Sequence, residues 1–318
     1  MRRVLVTGAS GFVGACLARR LLQEGHDVHA LVRPTHQAWR LDEVRQDVVL
    51  HAANLEDEDS VTRCLRQVRP EWVFHLAACG AYSHQTEARQ IFRTNVLGTV
   101  NLVCAALAAG VEVFVNTGSS SEYGFKDHGP SEMEPVEPNS EYAVAKASAT
   151  FFCQLTARKE RRRIPTLRLY SVYGPYEEPS RLVPTLIVNG FQGRLPRLVD
   201  PNIARDFVFV EEVCGAYLAA AQIETNDPGP VYNVGSGRQT TIADAVAASR
   251  ELFAIREEPH WGSYGNRKWD TTIWVADPRR IALELGWRAT VGFREGLAAT
   301  AQWLRDSPHR LRYESSVV

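Results

Sequence analysis

The sequence predicts an α/β fold: a doubly wound parallel sheet with a smaller C-terminal α/β lobe. Three observations predict it. Short β-branched runs alternate with longer amphipathic stretches through the first two-thirds of the chain. A glycine-rich turn, TGASGFVG, lies between the first such run and the first amphipathic stretch. The length, 318 residues, suits one large domain or two unequal ones.

In chain order, residues 4–7, 28–32, 48–51, 72–76, 111–116 and 167–170 read as buried strands. Residues 12–24, 57–67, 92–109 and 142–158 read as the helices between them. Gly25 and Gly110 fall just past helix ends, where a left-handed residue is wanted. Asn139 or Ser140 would cap the fourth helix. Beyond Gly174-Pro175 the pattern loosens, and 175–201 is rich in proline and glycine. Strand character returns at 207–210, with a helix following through Ala221. From Val231 the chain reads as irregular, with helices at 242–253 and 294–305. This divides it into a dinucleotide domain at 1–174, with a return segment at about 203–232, and a second lobe built from 175–202 and 233–306. The tail, 307–318, is expected to fray.

Charged residues make up 23% of the chain and the net charge is −1, so it has no broad basic field for nucleic acid or acidic membranes. The run 161–163 is a short basic helix end. The six cysteines, Cys16, Cys64, Cys79, Cys104, Cys153 and Cys214, include no C-x-x-C pair and mostly sit in apolar runs. They read as reduced thiols of a cytoplasmic protein, with no disulfide frame and no metal site. No stretch reads as apolar for long enough to cross a bilayer. The opening MRRVLVTG has too short an apolar run for a signal peptide and reads as a first strand.

Gly8, Gly11 and Gly14 follow that strand with the spacing G-x-x-G-x-x-G. Glycines there let backbone approach a pyrophosphate, and the helix N-terminus supplies free N–H groups. Ser10, Phe12 and Val13 are further cofactor contacts in the same turn. An acid at the end of the second strand would hold the ribose of NAD. Arg33 stands there instead, with Arg40 shortly after, which favours the 2′-phosphate of NADP over NAD. Asn54 and Leu55 after the third strand, and Ala77 and Ala78 after the fourth, line the rest of the cofactor path.

NSEYAVAK places Tyr142 and Lys146 one turn apart on one helix face. A phenol with an ordinary pKa near 10 is a poor proton carrier at neutral pH. A neighbouring ammonium, and the positive ring of an oxidised nicotinamide, favour the phenolate. The pair suits proton transfer at an alcohol oxygen while hydride moves on carbon.

TGASGFVG, FHLAA (74–78), TNVLGT (94–99), SSSEYG (119–124), YAVAK, VYGP (172–175) and RDFVFVEEV (205–213) together resemble the extended short-chain dehydrogenase/reductase family of nucleotide-sugar epimerases, dehydratases and reductases. The likeness covers residues 4 to about 213 and continues faintly to near 290. It implies a Rossmann domain binding NADP or NAD, a nucleotide-sugar lobe, and a homodimer built on helices 92–109 and 142–158. It also implies that Ser119, four residues before Tyr123, works with Tyr142 and Lys146 on one substrate oxygen. Tyr170 and Val172 would touch the cofactor. Ser120, Ser121, Tyr82, Ser171, Arg205 and Arg267 would face the substrate, with Ser83 and His84 in the same loop as Tyr82.

In this family the 4,6-dehydratases place a glutamate two residues before that tyrosine, and the 3,5-epimerase/reductases a cysteine. Here the position is Ser121, and a serine without a partner base removes a carbon-bound proton poorly. Glu122 is one place off, on the opposite side of an extended segment. Reduction of a 4-keto (6-deoxy) nucleotide sugar by NADPH and 4-epimerisation with retained NAD remain, and Arg33 favours reduction. The SEYG–YAVAK region is also similar to GDP-4-keto-6-deoxy-mannose reductases. Ser171, where 4-epimerases carry asparagine, departs from ordinary UDP-galactose chemistry. A non-catalytic NADP sensor is disfavoured because Ser119, Tyr142 and Lys146 are all present. A reductase of non-nucleotide ketones would have no use for Arg205 and Arg267.

Overall fold

The computed structural model describes residues 1–35, 37–82, 85–224, 227–266 and 270–316. The chain opens with β1 (Arg3–Thr7), α1 (Phe12–Gln23), β2 (Asp27–Val32), β3 (Val49–Ala52), α2 (Glu58–Val68) and β4 (Trp72–His75). It continues with α3 (Ala88–Phe92), α4 (Gly98–Ala108), β5 (Val113–Ser119), α5 (Glu141–Glu160) and β6 (Thr166–Leu169). Next come β7 (Ser171–Tyr173), α6 (Leu182–Phe191), β8 (Ala204–Arg205), β9 (Phe207–Phe209), α7 (Val210–Gln222) and β10 (Val231–Val234). It ends with β11 (Thr240–Thr241), α8 (Ile242–Phe253), α9 (Arg279–Leu285), α10 (Phe293–Asp306) and α11 (Arg310–Glu314).

Seven strands form one sheet in the order β10-β6-β5-β4-β1-β2-β3, and every pair is parallel. This is a Rossmann-type sheet with both faces covered. Strand alternation shows why. In β1, Val4 and Val6 enter one apolar cluster with Leu17 of α1 and Tyr217 of α7, while Leu5 enters another with Leu65 of α2, Leu102 of α4 and Cys153 of α5. The strand order reverses between β1 and β4, which opens a crevice at their C-terminal ends.

Several elements differ from the sequence expectation. The helix expected from 92 begins at Ala88 and passes through a π turn, Arg93–Leu97, before α4. By length and composition, Ala88–Ala108 could cross a membrane: it has 21 residues and a mean hydropathy of 1.4 over its apolar window. Half of that window is buried inside the protein, and Leu102, Val103, Ala105 and Ala106 fill the core beneath it. Its apolar character therefore serves core packing.

The fifth strand runs on to Ser119 instead of stopping at Asn116. The segment from Val231 is β10, a fully buried strand pairing with β6. In the loosened region α6 forms around Pro184, which sits in the first helical turn, where a missing N–H costs nothing. In the tail, Arg310–Glu314 forms the short helix α11. Tyr313 of α11 is 1% exposed, meets Trp39 and Trp303 edge-on, and donates its hydroxyl to the Glu177 carbonyl at 2.7 Å.

One buried carboxylate ties the C-terminal segments together. Asp206, between β8 and β9, accepts from Ser236 N (2.7 Å), Ser236 Oγ (2.6 Å), Gly237 N (2.9 Å) and Ala276 N (2.9 Å). Asp206→Ala leaves those backbone donors without their acceptor. It is expected to lower unfolding stability by about 3 kcal/mol, measured as a fall in the urea midpoint.

Candidate active site

The glycine turn sits at the crevice between β1 and β4. Gly8 has φ +71°, and a Cβ there would lie 2.6 Å from the Ala77 nitrogen and from the Leu76 carbonyl carbon. A Cβ on Gly14 would run into the Gly8 carbonyl oxygen. The glycines thus let the turn press against the strand end after β4 and let α1 start against the turn. Gly11 is the N-cap of α1 and makes no side-chain cap bond, so no side chain occupies the helix N-terminus. That cradle fits a dinucleotide pyrophosphate. Ser10 lines the turn, and Phe12 and Val13 pack against the core from its first helical residues.

A hydrogen-bond chain braces the two strand ends. The Ala77 N–H reaches Thr7 Oγ1 at 3.3 Å, Thr7 Oγ1 meets His75 Nδ1 at 2.7 Å, and His75 Nε2 meets Thr99 Oγ1 at 2.9 Å. Thr99 donates to the Asn95 carbonyl at 2.7 Å, and the Asn95 side chain holds Cys79 through its N–H (2.8 Å) and its carbonyl (2.7 Å). Burial pushes His75 down to about 3, so it is neutral. With Thr99 donating onward, the chain assigns the proton to Nε2 and leaves Nδ1 as acceptor for Thr7.

Arg33 is exposed just beyond the end of β2, and Asn54 is exposed beyond β3. Leu55 is buried against Gly98 at the start of α4. Ala77 is half-buried and Ala78 exposed at the β4 end of the crevice. Arg40 lies elsewhere. Its buried guanidinium donates to the Tyr176 carbonyl at 2.7 Å and to Glu178 at 3.0 Å, and it stacks on Trp39. These contacts commit Arg40 to joining the post-β2 segment to the loop after β7, which leaves Arg33 as the arginine at the strand end.

Ser119, Tyr142 and Lys146 come together where β5 ends against α5. Ser140 caps α5, accepting from Ala143 N at 3.2 Å, and so sets where Tyr142 emerges. The Tyr142 hydroxyl lies near the Ser119 side chain, which acts on its ionisation. Its ring is partly exposed, but burial around the hydroxyl pushes it up to about 12, opposed by the Ser119 side chain, so these surroundings favour the neutral phenol where the sequence reading favours a phenolate. Lys146 is 4% exposed; burial pushes it down to about 8, opposed by the Glu122 charge. Ser119 Oγ lies 2.7 Å from Ser121 Oγ and accepts from Ser121 N at 3.2 Å. Ser120 is buried. The turn Ser120–Tyr123 is 3-10 helical, not extended. Glu122 faces the core because it closes a capping box with Ser119, not because a strand alternates.

Tyr82, after β4, lies under Arg181, whose guanidinium is 5.1 Å from the ring centre and donates to the Ala81 carbonyl at 2.8 Å. Both act electrostatically on Tyr142. Arg181 is a site-facing cation that the sequence reading missed, because α6, whose start it marks, was itself not predicted. Glu177 is buried nearby, and burial pushes it up to about 8. Ser171 is half-buried in β7, its N–H bonded to the Asp206 carbonyl at 3.0 Å. Tyr170 is buried, and its hydroxyl has no hydrogen-bond partner among the described residues. Val172 packs against the large core cluster. Arg205 pairs with Asp270 at 2.6 Å and donates to the Ala204 carbonyl at 2.7 Å. Ser83, His84 and Arg267 lie outside the described residues. Among the described residues no group of His, Cys, Asp and Glu could hold a metal ion.

The fold, the glycine cradle at the switch point and the Ser–Tyr–Lys grouping define a dinucleotide-dependent protein of the extended short-chain dehydrogenase/reductase type. The chain belongs to the NAD dependent epimerase/dehydratase family, whose model matches residues 4–235. It is 30% identical to a dTDP-glucose 4,6-dehydratase of Streptomyces antibioticus, over 96% of this chain and 92% of that one. It is 31% identical to a UDP-glucose 4-epimerase of Mycolicibacterium smegmatis, over 96% of this chain and 99% of that one. The crystal structure of the Thermus thermophilus UDP-glucose 4-epimerase complex with NAD superimposes with a TM-score of 0.84 at 29% identity, covering 96% of this chain and 99% of that one.

Gly14→Ala tests the cradle. Crowding of this kind costs about 1–3 kcal/mol. Affinity for NAD(H) or NADP(H), measured by calorimetric titration, is expected to fall roughly tenfold or more.

Proposed function

We propose that this chain moves hydride and a proton at C4 of a nucleotide sugar without eliminating or epimerising at neighbouring carbons. The observation that carries the reading is the make-up of the turn beside Tyr142. Ser119 and Ser121 line it with hydroxyls, and its acid, Glu122, is turned into the core. That leaves no carboxylate from this turn to act as a base on carbon. Gly8, Ser10, Gly11, Phe12, Val13 and Gly14 would hold the dinucleotide, with Arg33 and Asn54 at its adenosine end and Ala77, Ala78, Tyr170 and Val172 along its path. When bound, the nicotinamide supplies or accepts the hydride. Tyr142 gives a proton to, or takes one from, the C4 oxygen. Ser119 donates a hydrogen bond to that same oxygen, and the charge of Lys146 favours the phenolate. Tyr82, Ser120, Ser121, Ser171, Arg181 and Arg205 would lie toward the sugar nucleotide, whose phosphate oxygens the cationic groups suit, and the resemblance adds Arg267 to them.

Reduction of a 4-keto (6-deoxy) nucleotide sugar by NADPH is the form that Arg33 supports. A second form, 4-epimerisation with retained NAD, is favoured by the commitment of Arg40 to Tyr176 and Glu178, which removes one of two arginines from the 2′-phosphate argument. The names of the Mycolicibacterium and Thermus relatives support it as well. A homodimer through the outer faces of α4 and α5 accounts for the exposure of Phe151 (54%) and Leu155 (65%).

Denaturing the purified protein and identifying any released nucleotide separates the two forms. Retained NAD supports epimerisation. A site without nucleotide that binds NADPH well over NADH supports reduction. In either form Tyr142→Phe is expected to lower turnover of nucleotide-sugar substrates by roughly 10²- to 10⁴-fold while leaving cofactor affinity in place. Unchanged turnover would end the reading.

A further inference from the structure

C4 chemistry leaves Glu122 without a role on substrate, yet three elements converge on it. Its side chain is 0% exposed and pairs with Arg168 of β6, 4% exposed, at 2.9 Å through Oε2. Oε1 accepts from the Ser119 backbone N–H at 2.8 Å, at the end of β5, and from the Thr150 hydroxyl at 3.1 Å. Thr150 stands on α5, eight residues after Tyr142 and four after Lys146. The guanidinium of Arg168 continues to the Tyr123 hydroxyl at 2.8 Å, and Tyr123 donates to Asn233 of β10 at 2.8 Å. A core ion pair needs only its two partners, and apolar residues of like volume often replace such a pair without loss. Here one carboxylate oxygen is given to the arginine, and the other binds the serine turn to the helix that carries Tyr142 and Lys146.

The charge of Glu122 matters as well as its shape. A buried amine tends to lose its proton unless an anion is near. The groups acting with Lys146 are Glu122 from the turn, Cys153 from α5 and His75 from β4. Burial pushes the Cys153 thiol up to about 12 and His75 down to about 3, so both are neutral at pH 7. Tyr142 on α5, pushed up to about 12, is neutral too. Farther out, Arg181 and Tyr82 act on Tyr142, and Arg168 faces the opposite carboxylate oxygen. Among the described groups acting directly on Lys146, Glu122 is the one carboxylate, and Thr150, which donates to it at 3.1 Å, stands one helical turn beyond Lys146.

We propose that Glu122 is a positioning residue, whose carboxylate locks the Ser119 turn onto α5 and supplies the negative charge that keeps Lys146 an ammonium in its buried surroundings. This rests on Ser119, Tyr142 and Lys146 being the proton-moving groups.

The test reads Lys146 itself. The chain has four lysines, Lys126, Lys146, Lys159 and Lys268, so the side-chain signals of ¹³C,¹⁵N-lysine-labelled protein are few, and Lys146→Arg assigns one. The pH titration of Lys146 is recorded in wild type, Glu122→Gln and Glu122→Asp. Removing the anion lowers the pKa, so in Glu122→Gln the midpoint is expected to fall by about one unit or more. Glu122→Asp retains the charge and should keep the midpoint near wild type. Glu122→Gln leaves Arg168 buried without its anion. If that variant does not fold, the double variant Glu122→Gln, Arg168→Met replaces the pair with neutral groups and carries the same expectation. An unmoved Lys146 midpoint in a folded neutral variant overturns the proposal, as does an equal fall in Glu122→Asp. The Tyr142→Phe assay reports separately on the catalytic reading. A shifted Lys146 midpoint with undiminished Tyr142→Phe turnover would retain the charge partnership and discard the catalytic roles.

Discussion

The close approach of two strand ends, β1 and β4, is the constraint on which the rest of the cleft depends. Gly8 lies against the backbone of Leu76 and Ala77 with no room for a Cβ, and the order of the sheet reverses there. The polar chain from Ala77 through Thr7, His75 and Thr99 to Asn95 holds this approach from below. Every polar hydrogen in it has a single place to go, so the chain fixes one arrangement of both loops. The π turn that carries Asn95 belongs to the same device, since it aims the Asn95 amide at both backbone groups of Cys79.

Around that floor the protein arranges groups whose ionisation is set by burial. Tyr142 is held neutral and Lys146 is brought toward neutral pH by the same dry surroundings. Ionisable groups displaced by burial at a topological switch point mark a candidate functional site. Asp206 and Tyr313 tie the C-terminal segments to the loops after β7, β8 and β10 by buried polar contacts as well as by apolar packing.

Much of this was legible in the sequence because it is local. The β-branched strand runs, the glycine turn and the Tyr142–Lys146 spacing each lie within one short segment. The missed features depend on distant partners. β10 became a strand because β6 offered it an edge, although its own surroundings read as irregular. The tail docked because Trp39 and Trp303 made an aromatic seat for Tyr313. Arg40 suited a phosphate by position, yet its partners Tyr176 and Glu178 lie more than a hundred residues away. The same holds for Glu122: the sequence placed it one residue from a base position, while Thr150 and Arg168 determine what it does.

The sequence by itself determined the parallel α/β class, the dinucleotide turn and the residue types available for proton transfer. Backbone sterics and side-chain periodicity act over a few residues, and they suffice for those. Tertiary structure alone decided which of the charged residues face the cleft and which serve the frame. A guanidinium or carboxylate has the same chemistry in either place, and only the partners that burial brings within hydrogen-bond distance assign it one role.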